Sequence, residues 1–169
     1  MSVTGEHSAP SRQEVRGIHH VGITVADLDR SLRFYRDLLG MRVIGLSLEA
    51  VGAIVGMEGA SARIADLDAG AGQLLELIDY GTADASADAN AGPRGPDAVG
   101  SCHISIQVDD LRGALARLAG AGHRPLGEVS ELSLGGVWEG CTIAYLRDPD
   151  GVVIELLERR GVEPGPARG

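Results

Sequence analysis

The sequence predicts an α+β protein built from two βαβββ modules whose strands form a cupped mixed sheet. Three observations lead to this fold class. A segment near the start of the chain recurs in the second half, each copy alternates like a strand before it turns helical, and each copy closes with an apolar strand. With 169 residues, 44% of them hydrophobic, the chain has enough apolar material for a compact core.

The repeated segment begins at a histidine in each copy. HVGITVADLDRSL starts at His20 and HISIQVDDLRGAL starts at His103, and the same offset maps Asp27 onto Asp110. Alternating polar and apolar residues predict a half-buried strand in each copy. The two aspartates are suitable N-caps for the helix that follows. Each module is therefore expected to open with a strand and a capped helix.

Each copy then continues with two strand-length segments and a closing strand. The middle segments are MRVIGLSL and SARIADLD in the first copy, and HRPLGEVS and CTIAYLRD in the second. The closing strands, QLLELI and VVIELL, carry Glu76 and Glu155. Composition divides the chain further into flexible tails, two modules and a linker rich in Gly, Ala, Asp and Pro. The predicted boundaries are 1–16 for the first tail, 17–80 for the first module, 81–100 for the linker, 101–160 for the second module and 161–169 for the last tail.

The charge balance excludes several classes of partner. Twenty-four acidic residues outnumber 15 basic ones, for a formal net charge of -9, and such a surface repels nucleic acid and anionic membranes. Every basic residue is an arginine, which excludes lysine Schiff-base chemistry. No secretion signal and no apolar run of membrane-spanning length is visible, so a cytoplasmic location is expected.

Two histidines and two glutamates at equivalent positions of the repeat indicate a metal site. Taken singly, such a histidine more often caps a strand, and such a glutamate more often faces water. Both glutamates, however, interrupt apolar runs, where a carboxylate needs a compensating partner. Two imidazoles and two carboxylates suit one divalent ion of Zn, Ni, Co, Mn or Fe. If the two sheets face one another, the ligands that meet are His20, Glu76, His103 and Glu155.

Longer segments of the chain resemble a known superfamily. IHHVGITVADLDRSLRFYRDLLG and TIAYLRDPDGVVIELLE are similar to the opening and closing motifs of vicinal oxygen chelate proteins, across about residues 18–158. Glyoxalase I, methylmalonyl-CoA epimerase, extradiol dioxygenases and bleomycin-binding proteins belong to it. The resemblance implies metal ligands at the same four positions. Glu76 favours the glyoxalase and epimerase type, because extradiol dioxygenases use two histidines and one glutamate.

The resemblance also implies a reaction. It indicates a metal-dependent lyase or isomerase that transfers a proton next to a metal-chelated carbonyl of a small substrate, with Glu76 or Glu155 as the catalytic carboxylate. One alternative is an Fe(II)-dependent dioxygenase acting on an aromatic or polyketide-like substrate through His20, His103 and Glu155. Another is a non-catalytic antibiotic-binding resistance protein. One Trp, three Tyr and one Phe offer few rings for stacking a planar drug, which argues against the second alternative.

Four further residues are candidates for substrate binding. Strand alternation places Thr24, Ser105 and Gln107 on the faces of the two histidines, where they line a pocket or act as satisfied polar groups of the core. Trp138 follows two glycines in LSLGGVWEG, an arrangement suited to a flap over a pocket or to a hydrophobic anchor. The outer edges of the sheets need covering, and proteins of this superfamily commonly cover them with a second chain. A homodimer is therefore predicted.

Overall fold

The computed structural model describes residues 15–81 and 95–159, so residues 1–14 of the first predicted tail, all of the second and most of the predicted linker lie outside the described residues. The first module contains four strands, a helix that continues as a π-helical turn, and one additional short helix. Its elements are β1 (His20–Thr24), α1 (Leu28–Leu32), the π-helical turn (Arg33–Leu38), β2 (Arg42–Ala50), α2 (Gly52–Val55), β3 (Ser61–Asp68) and β4 (Leu74–Asp79).

The second module repeats this order with a shorter second strand. Its elements are β5 (His103–Gln107), α3 (Leu111–Gly120), β6 (Ser130–Leu132), a 3-10 turn (Gly136–Trp138), β7 (Cys141–Arg147) and β8 (Val153–Arg159). The prediction of a strand at HRPLGEVS, residues 123–130, is wrong: only its last residue, Ser130, belongs to β6. Pro125 has no N–H for a strand ladder, and Gly127 weakens an extended segment.

Two four-stranded mixed sheets result, with the strand orders β1-β4-β3-β2 and β5-β8-β7-β6. In each module the first and last strands pair in parallel, and the other pairs are antiparallel. Apolar residues from both modules form one hydrophobic cluster, which includes Leu77 and Leu156. The predicted fold of two βαβββ modules is therefore confirmed.

The predicted helix caps are also confirmed. The Asp27 side chain accepts a hydrogen bond from the backbone N–H of Arg30 at 3.0 Å, and Asp110 accepts one from Gly113 at 2.8 Å. The first of these bonds holds the pKa of Asp27 below its ordinary value. Each cap therefore stabilises the start of its helix.

The turn between β7 and β8 joins the second module to α1 of the first. The Tyr35 hydroxyl donates to Asp148 Oδ2 at 2.9 Å, and the Ser31 hydroxyl donates to Asp150 Oδ2 at 3.2 Å. The Arg30 guanidinium pairs with Asp150 as well. Tyr35 and Asp148 are both buried, and burial raises the pKa of the Asp148 carboxyl while the bond from Tyr35 opposes that shift. The aspartates of the RDPDG motif therefore hold the modules together.

Removing the hydroxyl in Tyr35→Phe is expected to lower the free energy of unfolding by roughly 1.5–3 kcal/mol, because the buried Asp148 carboxylate loses a donor. Urea denaturation followed by circular dichroism measures this loss. Tyr80→Phe is the matched control, since Tyr80 is partly exposed just after β4. Equal stability of Tyr35→Phe and the wild type would contradict the role of this contact.

None of the helices in the described part of the chain combines the length and the apolarity that crossing a bilayer requires. The longest α-helix that the structure describes, α3, spans Leu111–Gly120, which is 10 residues. The cytoplasmic location stays a prediction.

Candidate metal centre

Each module places the histidine of its first strand beside the glutamate of its last strand. His20 Nε2 lies 3.8 Å from Glu76 Oε2, and His103 Nε2 lies 3.1 Å from Glu155 Oε2. Parallel pairing explains this proximity, because Gly22 is in register with Glu76 and Ser105 with Glu155, which puts the histidine two residues earlier on the same face. We call His20 and Glu76 the first half-site, and His103 and Glu155 the second half-site.

The two half-sites do not merge within one chain. Across residues 15–81 and 95–159, no three His, Cys, Asp or Glu side chains form a group that could hold a metal ion. Contacts between the modules include those of the β7–β8 turn with α1 and with the π-helical turn, and those of α3 with the π-helical turn. β1 and β5 lie at the edges of separate sheets. The predicted ligands are therefore brought together as two pairs, not as one cluster of four.

The second half-site contains a buried oxygen without a partner. The Glu155 side chain is only 3% exposed, and its Oε1 makes no hydrogen bond within the described residues. Such a carboxylate oxygen carries a desolvation cost that a cation would offset. An imidazole nitrogen next to a carboxylate is a donor set that divalent transition metals accept. The donor chemistry of His103 and Glu155 therefore fits part of a divalent-ion site.

Tyr145 on β7 contacts both residues of the second half-site and was not among the residues predicted from the sequence. Its hydroxyl donates to Glu155 Oε2 at 2.7 Å, and its ring meets the His103 ring edge-on with centroids 5.4 Å apart. Burial, followed by the bond to Glu155, raises the pKa of Tyr145 to about 12, so the hydroxyl remains protonated at neutral pH. A hairpin centred on Asp150 pairs positions 145 and 155, and this turn signal is what could have revealed the contact.

Asp66 occupies the equivalent position in the first module. It pairs with Glu76 in register, as Tyr145 pairs with Glu155. Gly45 lies opposite Asp66 on β2, and a Cβ atom at Gly45 would lie 2.7 Å from Asp66 Oδ2. The glycine therefore leaves room for this carboxylate. As a result, an acid stands beside the first half-site, whereas a hydroxyl donor stands beside the second.

The predicted substrate-binding residues lie in different places. Ser105 and Gln107 line a cleft of about 490 Å³ between β5 and the β3–β4 turn. Thr24 is in register with Ile78 and shares the face of His20. Trp138 lies on the 3-10 turn between β6 and β7 and is 42% exposed. Their roles in binding stay predictions.

Comparison with known proteins places this architecture in a family. The model of the glyoxalase/bleomycin resistance protein/dioxygenase superfamily matches residues 17–156. A lactoylglutathione lyase from Haemophilus influenzae is 30% identical over 153 residues, which cover 88% of this chain and 96% of that protein. A 2-epi-5-epi-valiolone epimerase from an Actinomyces species is 32% identical over 147 residues, covering 83% of this chain and 78% of that protein.

Solved structures share the fold. A glyoxalase family protein from Bacillus cereus superposes with a TM-score of 0.76 at 23% identity, covering 90% of this chain and 100% of that one. The trypanothione-dependent glyoxalase I of Leishmania major gives a TM-score of 0.58 at 26% identity, covering 86% of this chain and 88% of that one. Because the family match spans most of the sequence, the chain belongs to the glyoxalase/bleomycin resistance protein/dioxygenase superfamily.

Proposed function

We propose that the protein is a divalent-metal-dependent lyase or isomerase of the glyoxalase and epimerase type, acting on a small substrate with adjacent oxygen atoms. The observation that carries this proposal is the His–Glu pair at the same strand positions of both modules. The relatives named as a lactoylglutathione lyase and an epimerase support this class of reaction. A bound ion would supply Lewis-acid polarisation of the substrate oxygens.

The ion would be held by both half-sites together. Since one chain keeps them apart, we infer that two copies associate and that the first half-site of one chain meets the second half-site of its partner. Exposed apolar side chains support an association, since Leu46 and Leu48 on the edge strand β2 are 66% and 72% exposed. The resulting set of two imidazoles and two carboxylates suits Zn, Ni, Co, Mn or Fe.

The two glutamates are the groups that would move the proton. A carboxylate at either half-site would take a proton from the carbon next to the substrate carbonyl and return it to a neighbouring atom. The polar side chains of Thr24, Ser105 and Gln107 would bind the substrate oxygens, and Trp138 would cover the pocket.

Metal analysis tests the proposal. Purified wild-type protein is expected to contain about one divalent ion per chain, and His103→Ala is expected to lower that content sharply, because a missing ligand opens the coordination sphere. His123→Ala is a matched control, since the His123 ring packs against Phe34. Full metal content in His20→Ala, His103→Ala and Glu155→Ala alike would refute the site. A parallel screen covers dicarbonyl hemithioacetals, acyl-CoA thioesters and catechols.

An Fe(II)-dependent dioxygenase is the second candidate. The observation that favours it is the looser first half-site, where the Glu76 side chain is 25% exposed and 3.8 Å from His20. If Glu76 is dispensable, His20, His103 and Glu155 remain as a facial set of three ligands. An antibiotic-binding role is less supported, because Phe34 and Tyr35 are buried in the core and unable to stack on a drug.

A further inference from the structure

We propose that Tyr145 is a positioning residue that pre-organises the second half-site, so that the second half-site would contribute more to metal affinity than the first half-site. The inference rests on the proposed metal-dependent function. It concerns how the two half-sites differ, which follows from the residue that lies opposite each glutamate in the neighbouring strand.

Tyr145 restrains both members of the second half-site. Its hydroxyl occupies Glu155 Oε2 at 2.7 Å, and the same oxygen lies 3.1 Å from His103 Nε2. Glu155 Oε1 then has no partner within the described residues and is left for the ion. The edge-on contact of the two rings, with an interplanar angle of 83°, also restrains rotation of the imidazole.

In the first half-site the histidine is restrained but the glutamate is not. The His20 ring meets the His19 ring edge-on with centroids 5.2 Å apart, whereas no hydroxyl among the described residues donates to Glu76 as Tyr145 does to Glu155. Asp66 occupies the matching position, and no hydrogen bond joins it to Glu76 within the described residues. The 3.8 Å between His20 and Glu76 exceeds a hydrogen-bond distance. Glu76 is 25% exposed where Glu155 is 3% exposed, so its side chain keeps more rotamer freedom.

The consequence is unequal metal retention. A ligand that is already oriented loses little conformational freedom when the ion binds, whereas a mobile ligand must be ordered first. Partners that orient metal ligands typically account for about 10- to 100-fold in metal affinity. The second half-site would therefore contribute more to metal affinity than the first.

Tyr145→Phe tests the restraint, because it removes only the hydroxyl. Full-length protein is stripped with a chelator and titrated with Zn²⁺ in competition with a chromophoric chelator, and the visible spectrum of the Co²⁺ form is recorded. We expect Zn²⁺ affinity to fall about tenfold or more, with a changed Co²⁺ spectrum. Tyr80→Phe is the control for a tyrosine hydroxyl outside the half-sites, with affinity expected at the wild-type level.

Histidine variants test the asymmetry independently of Tyr145. His103→Ala is expected to weaken Zn²⁺ binding at least about tenfold more than His20→Ala does. Equal losses in the two histidine variants, or wild-type affinity and spectrum in Tyr145→Phe, would overturn the inference while leaving the metal site in place. A wild-type protein that binds no Zn²⁺ or Co²⁺ would instead overturn the proposed function, and the inference with it.

Discussion

A mixed dimer of a His20→Ala chain and a His103→Ala chain is expected to hold about one divalent ion, half the content of the wild-type dimer. Each site would combine the first half-site of one chain with the second half-site of the other. In the mixed dimer one site therefore collects both substitutions, and the other site has all four native ligands. Each parent homodimer has one damaged ligand in both of its sites and is expected to lose most of its metal.

Two affinity tags make this measurement direct. The chains are co-expressed with different tags, the mixed dimer is isolated by successive purification on both tags, and its metal content is determined by elemental analysis. A mixed dimer with no more metal than the parents would show that each chain builds its own site. Light scattering that reports a monomer at micromolar concentration would also refute the shared site.

Glu76→Gln is expected to retain appreciable metal and to lose most turnover if the protein is a lyase or isomerase. The amide oxygen of glutamine still coordinates, but it neither balances the charge of the ion nor accepts a proton. Glu155→Gln is expected to be impaired at least as strongly, because a buried, hydrogen-bonded carboxylate is replaced. Steady-state kinetics on the substrate found by screening measures both effects.

A dioxygenase would give the opposite pattern. Its oxygen-dependent turnover would be nearly unchanged in Glu76→Gln, whereas Glu155→Gln would disrupt the facial set of ligands and the retention of iron. Assays of both variants in air and under anaerobic conditions separate the two functions. Strict oxygen dependence, together with unchanged turnover in Glu76→Gln, would rule out the lyase or isomerase.

Most of the fold was predictable because the sequence pattern is duplicated. Alternation after His20 and His103 and the caps at Asp27 and Asp110 are local signals, and both modules and caps formed as predicted. The bounds of the short β6 were not predicted, because they depend on which backbone groups form hydrogen bonds with β7. Leu126 still donates to the Tyr145 carbonyl at 2.7 Å, outside any regular strand.

The candidate site was predictable only within each module. Parallel pairing of neighbouring strands follows from the βαβββ order, and it is enough to bring His20 to Glu76 and His103 to Glu155. How two modules dock is decided by contacts distant in sequence, such as Tyr35 with Asp148, which carry no local signature. The contact of Tyr145 with Glu155 was not predicted, although the turn centred on Asp150 sets the register that pairs the two positions.

The π-helical turn at Arg33–Leu38 constrains the number of residues in this segment. Its wider winding is seen where the Leu39 N–H reaches the Phe34 carbonyl at 3.1 Å, and it allows two consecutive rings, Phe34 and Tyr35, to be fully buried. Deleting one residue here would remove the extra residue that the wider turn accommodates and would favour an ordinary α-helix. The length of this segment is therefore constrained as well as its composition.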